Sequence, residues 1–92
     1  MKFEQTETLK EEKILEQTST LNEIVLFNDD VNTFDWVIES LVDVCEHSME
    51  QAEQCSVIVH YKGKCGVKTG SFDDLKPICT ELLHRGLSAE IC

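Results

Sequence analysis

The polar triplet Asn28-Asp29-Asp30 closes an apolar run, Ile24 to Phe27, and opens onto Val31-Asn32-Thr33-Phe34-Asp35-Trp36, an aromatic-rich amphipathic stretch. Three acceptor side chains at the corner between a strand-like run and a helix start suit two chemistries: oxygen ligation of a hard cation, or capture of an ammonium group. For the first, Asn28, Asp30, Asn32 and Glu39 fall at positions 1, 3, 5 and 12 of a calcium-loop frame. The frame fails at its first position, Asn rather than Asp, and at its sixth, where Thr33 replaces the turn glycine. It also fails in what precedes it, a strand-like run instead of a helix. No metal site is expected. For the second chemistry, His60 is the natural partner. A lone histidine near an apolar face is more often structural than functional, but Ser56, Val59 and His60 share one face if their segment is helical. A pocket between that face and the 28–30 corner would join apolar walls to a rim of acceptors, which is how a free N-terminal amine is held.

Catalysis has little to work with. Gly63, Gly66 and Gly70 follow neither the dinucleotide nor the P-loop spacing. A Cys–His60 dyad is conceivable, but the cysteines sit at positions that read as core. The five cysteines (Cys45, Cys55, Cys65, Cys79, Cys92) are widely and almost evenly spaced, with no Cys-x-x-Cys, which fits neither a disulfide framework nor a zinc site. Cys45, Cys55 and Cys79 read as small core hydrophobes. A formal charge of −10, from 8 basic and 18 acidic residues, argues against nucleic acid and anionic membrane as partners. No apolar stretch is long enough for a transmembrane helix or a signal peptide, so a cytoplasmic protein is expected.

The elements that must position these residues follow from periodicity. With 92 residues, 41% of them hydrophobic, the chain has room for one domain and one modest core. Residues 1–21, rich in Glu, Lys, Thr and Gln, read as a flexible extension with at most a weak helix over residues 8–17, and 22–92 as the folded domain. Glu23 to Phe27 reads as a strand buried on both faces or nearly so. Asn32 or Thr33 can cap a helix from Phe34 to about Glu46, in which Phe34, Val37, Ile38, Leu41, Val44 and Cys45 recur at helical spacing. Trp36 lies off that stripe and receives no role. Ser48 and Gln51 form a capping-box pattern for a second helix. Its end, Ser56 to Tyr61, reads locally as a strand because of its β-branched run; the cap and Gly63 favour a helix to about Tyr61. Cys65 to Thr69 reads as a second strand. Leu75, Ile78, Cys79, Leu82 and Leu83 mark a third helix to about Arg85, with Pro77 drawing its regular start toward Asp74 rather than Ser71. Gly86 caps it, and Leu87 to Ile91 supplies a last strand. The order β-α-α-β-α-β predicts an α+β fold with three helices packed on one sheet.

Asn28-Asp29-Asp30, followed by Val59-His60-Tyr61-x-Gly-Lys, then Gly66-Val67, Lys76 and a terminal Gly-Leu strand, resembles ClpS, the adaptor family of the Clp proteases, over about residues 22–91. The resemblance implies a compact α+β domain, a three-stranded antiparallel sheet packed with three helices, with His60 on the second of them. It implies no catalysis and no cofactor. Its implied partners are proteins bearing a destabilising N-terminal residue (Leu, Phe, Tyr or Trp) and the N-terminal domain of a ClpA or ClpC-type AAA+ unfoldase that receives them, the adaptor being a monomer when free. Carried over by residue, Asn28, Asp29 and His60 would bind the α-amino group and first peptide unit. Asp30, Asn32, Phe34, Val37, Ser56 and Val59 would line the side-chain pocket, closed by Ala89 or Ile91, and Lys76 would contact the unfoldase. The N-terminal extension would serve in hand-off. Phe34 stands where many members of the family carry a gating Met, Ser56 where a larger apolar residue is common, and Ser71 where a Glu often joins the unfoldase interface. Another reading keeps the fold and changes the ligand: a small non-catalytic protein-interaction module.

Overall fold

The structure, a computed structural model, describes residues 21–92; the expectations of a flexible extension and a weak helix in residues 1–20 lie outside it. Strand β1 (Asn22–Phe27) is followed by helices α1 (Phe34–Cys45) and α2 (Met49–Lys62), strand β2 (Lys64–Gly70), helix α3 (Phe72–His84) and strand β3 (Ser88–Ile91). The sheet runs β2-β1-β3 with both pairings antiparallel. The element order β-α-α-β-α-β is the one expected from the sequence, and the three-stranded antiparallel sheet is the one the family resemblance implies. Among the described residues no helix is long and apolar enough to cross a membrane.

β1 is central, yet it is buried on one face only. Ile24 and Leu26 are 0% and 1% exposed, whereas Val25 and Phe27, pointing the other way, stay partly exposed. The expectation of a strand buried on both faces fails because the helices cover only one side of the sheet. On that side Ile24 and Leu26 meet Leu41 and Cys45 of α1, Ala52, Cys55 and Val59 of α2, and Leu75, Cys79 and Leu82 of α3.

Each helix starts where its hydroxyl cap predicts. Thr33 Oγ1 accepts from Trp36 N at 3.1 Å, Ser48 Oγ from Gln51 N at 3.1 Å and Ser71 Oγ from Asp74 N at 3.2 Å. The last of these overrules Pro77. α3 begins at Phe72 and carries the proline inside it, leaving one carbonyl, that of exposed Asp73, without its helical donor and free to solvent. The β-branched end of α2 stays helical because Val59 packs into the core, while Val57 and Ile58 lie on its outer side. Gly63 (φ 90°) then closes the helix by donating its N–H to the Val59 carbonyl at 2.9 Å.

Candidate functional site

The corner after β1 is held by its own second residue. Asp29 Oδ1 accepts from Val31 N at 2.9 Å and Asn32 N at 2.7 Å, and Oδ2 accepts from Asn32 Nδ2 at 2.8 Å. This is an Asx turn, with the side chain substituting for backbone acceptors. Partial burial pushes the Asp29 carboxyl upward, but the Asn32 N–H, the Asn32 amide and the Val31 N–H together outweigh it, and the group ends below the ordinary carboxylate value. Its stabilising effect is therefore present above the unfolded-state pKa and is lost only as pH falls through the depressed folded value.

Two further bonds fix the corner against distant parts of the chain. Asn28 N donates to the Gly63 carbonyl at 2.9 Å, which docks the corner on the end of α2 and brings His60 within reach. Asn32 Nδ2 also donates to the Gly86 carbonyl at 2.8 Å. Trp36 completes this second tether: its indole Nε1–H donates to the Arg85 carbonyl at 2.9 Å, and the Arg85 guanidinium carbon lies 5.5 Å from the ring centroid. Asn32 and Trp36 thus hold the consecutive carbonyls of Arg85 and Gly86, and the next residue, Leu87, is set in place.

These tethers enclose a cavity of about 320 Å³ between the corner, the start of α1 and the last two turns of α2. Leu26, Val37, Val59 and Leu87 are among its apolar walls, and Asn28, Asp29, Asp30, Asn32, Thr33, Ser56 and His60 carry its polar groups. The His60 ring lies 5.2 Å from that of Phe34 at an interplanar angle of 55°, and 5.0 Å from Tyr61 at 83°. The cavity lining thus gathers Asn28, Asp29, Asp30, Asn32, Phe34, Val37, Ser56, Val59 and His60 from three separate segments.

Ala89 and Ile91 are not in that lining. They pair with Leu26 and Ile24 in the sheet and contribute to the core instead, Ala89 at 7% exposure. The cavity lies beyond the start of β3, so the residue that reaches it is Leu87, one position before the strand. The signal available in the sequence was the Gly86-Leu87 pair: a glycine at φ 85° turns the chain, and the apolar residue after it enters the site. Lys76 is exposed on α3, apart from the cavity lining.

The remaining chemistry does not favour a nucleophile. Burial pushes the thiols of Cys45 and Cys55 up to about 11, and raises that of Cys79, the opposite of an activated cysteine. Cys45, Cys55 and Cys79 are core side chains, as the sequence predicts. Among the described residues no three His, Cys, Asp or Glu side chains are gathered as a metal site.

Residues 17–90 match the family model described as ATP-dependent Clp protease adaptor protein ClpS. The chain is 36% identical over 66 residues to the ATP-dependent Clp protease adapter protein ClpS of Campylobacter jejuni strain 81-176, covering 70% of this chain and 67% of the relative. It is 34% identical over 74 residues to that of Escherichia coli O127:H6, covering 76% and 70%. In fold it is similar to Agrobacterium tumefaciens ClpS2 in a structure bound to L-phenylalaninamide, with a TM-score of 0.76 at 20% identity over 79% of this chain and 95% of that one. The match over most of the described domain, together with identities above 30%, means that this chain belongs to the ClpS family and is a Clp protease adaptor, not an enzyme.

Proposed function

We propose that the cavity receives the first residue of proteins whose N-terminus carries Leu, Phe, Tyr or Trp, and that the chain delivers them to the N-terminal domain of a ClpA or ClpC-type AAA+ unfoldase. The observation that carries this reading is the convergence of Asn28, Asp29, Asp30 and His60 on one cavity that also has apolar walls. An ammonium group needs acceptors close to water, and a large side chain needs a dry wall; the cavity offers both. The ligand in the related ClpS2 structure, L-phenylalaninamide, has a free amine beside a large apolar side chain and fits the same description.

The roles divide accordingly. Asn28, Asp29 and His60 bind the α-amino group and first peptide unit. Val37, Val59 and Leu87 bury the side chain, and Phe34 stands at the gate against the His60 ring. Burying a Leu or Phe side chain contributes roughly 1.5 to 3 kcal/mol, and each hydrogen bond to a charged group roughly 1.5 to 3. Less the entropy of fixing a peptide end, the sum reaches about −8 kcal/mol, a micromolar dissociation constant. Lys76, exposed on α3, contacts the unfoldase, and residues 1–21 serve in hand-off. Fluorescence anisotropy with peptides that differ only in residue one, Met, Ile, Leu, Phe, Tyr or Trp, tests the reading. Leu and the aromatic residues bind and β-branched Ile does not; equal binding of all six rejects it.

A further inference from the structure

Ser56 holds chemistry that amine capture does not use. It is 3% exposed, lines the cavity, and donates its hydroxyl proton to the Ala52 carbonyl one turn back at 2.8 Å. A carbonyl can only accept, so the single proton of Ser56 is spent there, and what remains on Oγ is acceptor capacity alone. The apolar walls of the cavity, Leu26, Val37, Val59 and Leu87, supply no side-chain donor. Of the donor-bearing side chains in the lining, Asn32 spends its amide protons on Asp29 and Gly86, and Thr33 lies at the exposed start of α1. Asn28 and His60 are the groups assigned to the amine and first peptide unit. When the cavity is open, water can serve the Ser56 oxygen. When an apolar side chain fills the cavity, water leaves and nothing replaces it, and a desolvated acceptor without a donor is penalised. A guest that brings its own donor avoids the penalty. Of the four first residues in the proposed set, two carry a donor on an aromatic ring: Trp, with its indole N–H, and Tyr, with its phenol O–H.

We infer that Ser56 is a specificity-determining residue, and that its hydroxyl oxygen biases the cavity toward first residues carrying a ring donor, Trp and Tyr, over Leu and Phe. The inference rests on the reading of the cavity as a receptor for an N-terminal residue. The selectivity has the same origin as in any site that presents a buried polar group: the analogue that cannot pair with it is rejected more strongly than a missing methylene would be.

Two matched pairs of free-amine peptides, fluorescein-labelled at their far end and identical after residue one, isolate the donor. One pair starts with Tyr or Phe, the other with Trp or 1-methyltryptophan, which lacks the indole N–H. Measured by anisotropy on the full chain, the donor-bearing member of each pair binds about tenfold tighter. In Ser56→Ala both ratios fall to near one, through weaker binding of Tyr and Trp and undiminished binding of Phe, with thermal stability retained. Ser56→Cys, whose thiol is a poor acceptor, gives the same collapse if the alanine variant fails to fold. Ratios left unchanged by the substitution, or Phe binding as tightly as Tyr to the unaltered chain, overturn the inference while leaving the receptor reading intact. Failure of all four peptides to bind overturns the receptor reading and the inference with it.

Discussion

Just before α2 begins, His47 is 6% exposed with Nε2 2.6 Å from the Val67 carbonyl; near the end of the same helix, His60 is exposed, faces the Phe34 ring and lines the cavity. The carbonyl of Val67 can only accept, so His47 Nε2 donates to it, and the buried Nδ1 has no partner among the described residues. His47 joins the α1–α2 turn to β2 and belongs to the fold. His60 leaves the fold little to lose and a ligand something to gain. The two residues have the same chemistry; what separates them is whether backbone or solvent occupies their polar atoms.

Three substitutions break or sharpen that contrast. His47→Ala removes a buried ring and strands the Val67 carbonyl, at a cost of about 2 to 3 kcal/mol. For a domain of this size that lowers Tm by about 10 to 20 °C in a circular dichroism melt, with the peptide affinity of the folded fraction unchanged. His60→Ala has the inverse outcome: Tm moves by less than about 2 °C, and affinity for a Phe-initiated peptide falls about tenfold or more, a loss near 1.5 kcal/mol. A collapsed circular dichroism spectrum for His60→Ala erases the distinction. Trp36→Phe keeps the ring but loses the bond to the Arg85 carbonyl, costing about 1 kcal/mol of stability and a few degrees of Tm. Because that bond holds the turn before Leu87, affinity also weakens, by less than about threefold.

How far the sequence reaches is seen in the same residues. The corner at 28–30, the stripe from Phe34 to Cys45 and the three hydroxyl caps are local signals, each written within a few residues, and the structure follows them. The helical end of α2 was contested locally: Val57, Ile58 and Val59 favour a strand, and the cap at Ser48 with the stop at Gly63 favours a helix. The role of Trp36 was not legible. The Trp36 donor is satisfied by a backbone carbonyl 49 residues away, and a carbonyl has no side-chain signature in a sequence. The placement of Ala89 and Ile91 turned on where the cavity sits along the last strand. Their pleat parity puts them on the helix-covered face with Leu26 and Ile24, but the cavity lies past the strand's beginning. Pro77 misled in the other direction, since one exposed carbonyl without a donor costs less than the Ser71 cap contributes.

The proposed function requires the cavity to hold a charged, free N-terminal amine together with a large side chain. Its most direct test is fluorescence anisotropy with one Phe-initiated peptide, compared with the same peptide acetylated at its N-terminus. Acetylation removes the charge and two of the three amine donors, and leaves the side chain able to fill the cavity. Micromolar binding of the free peptide and a loss of at least about 100-fold on acetylation is the predicted result, equivalent to about 3 kcal/mol; equal dissociation constants for the two peptides contradict the account.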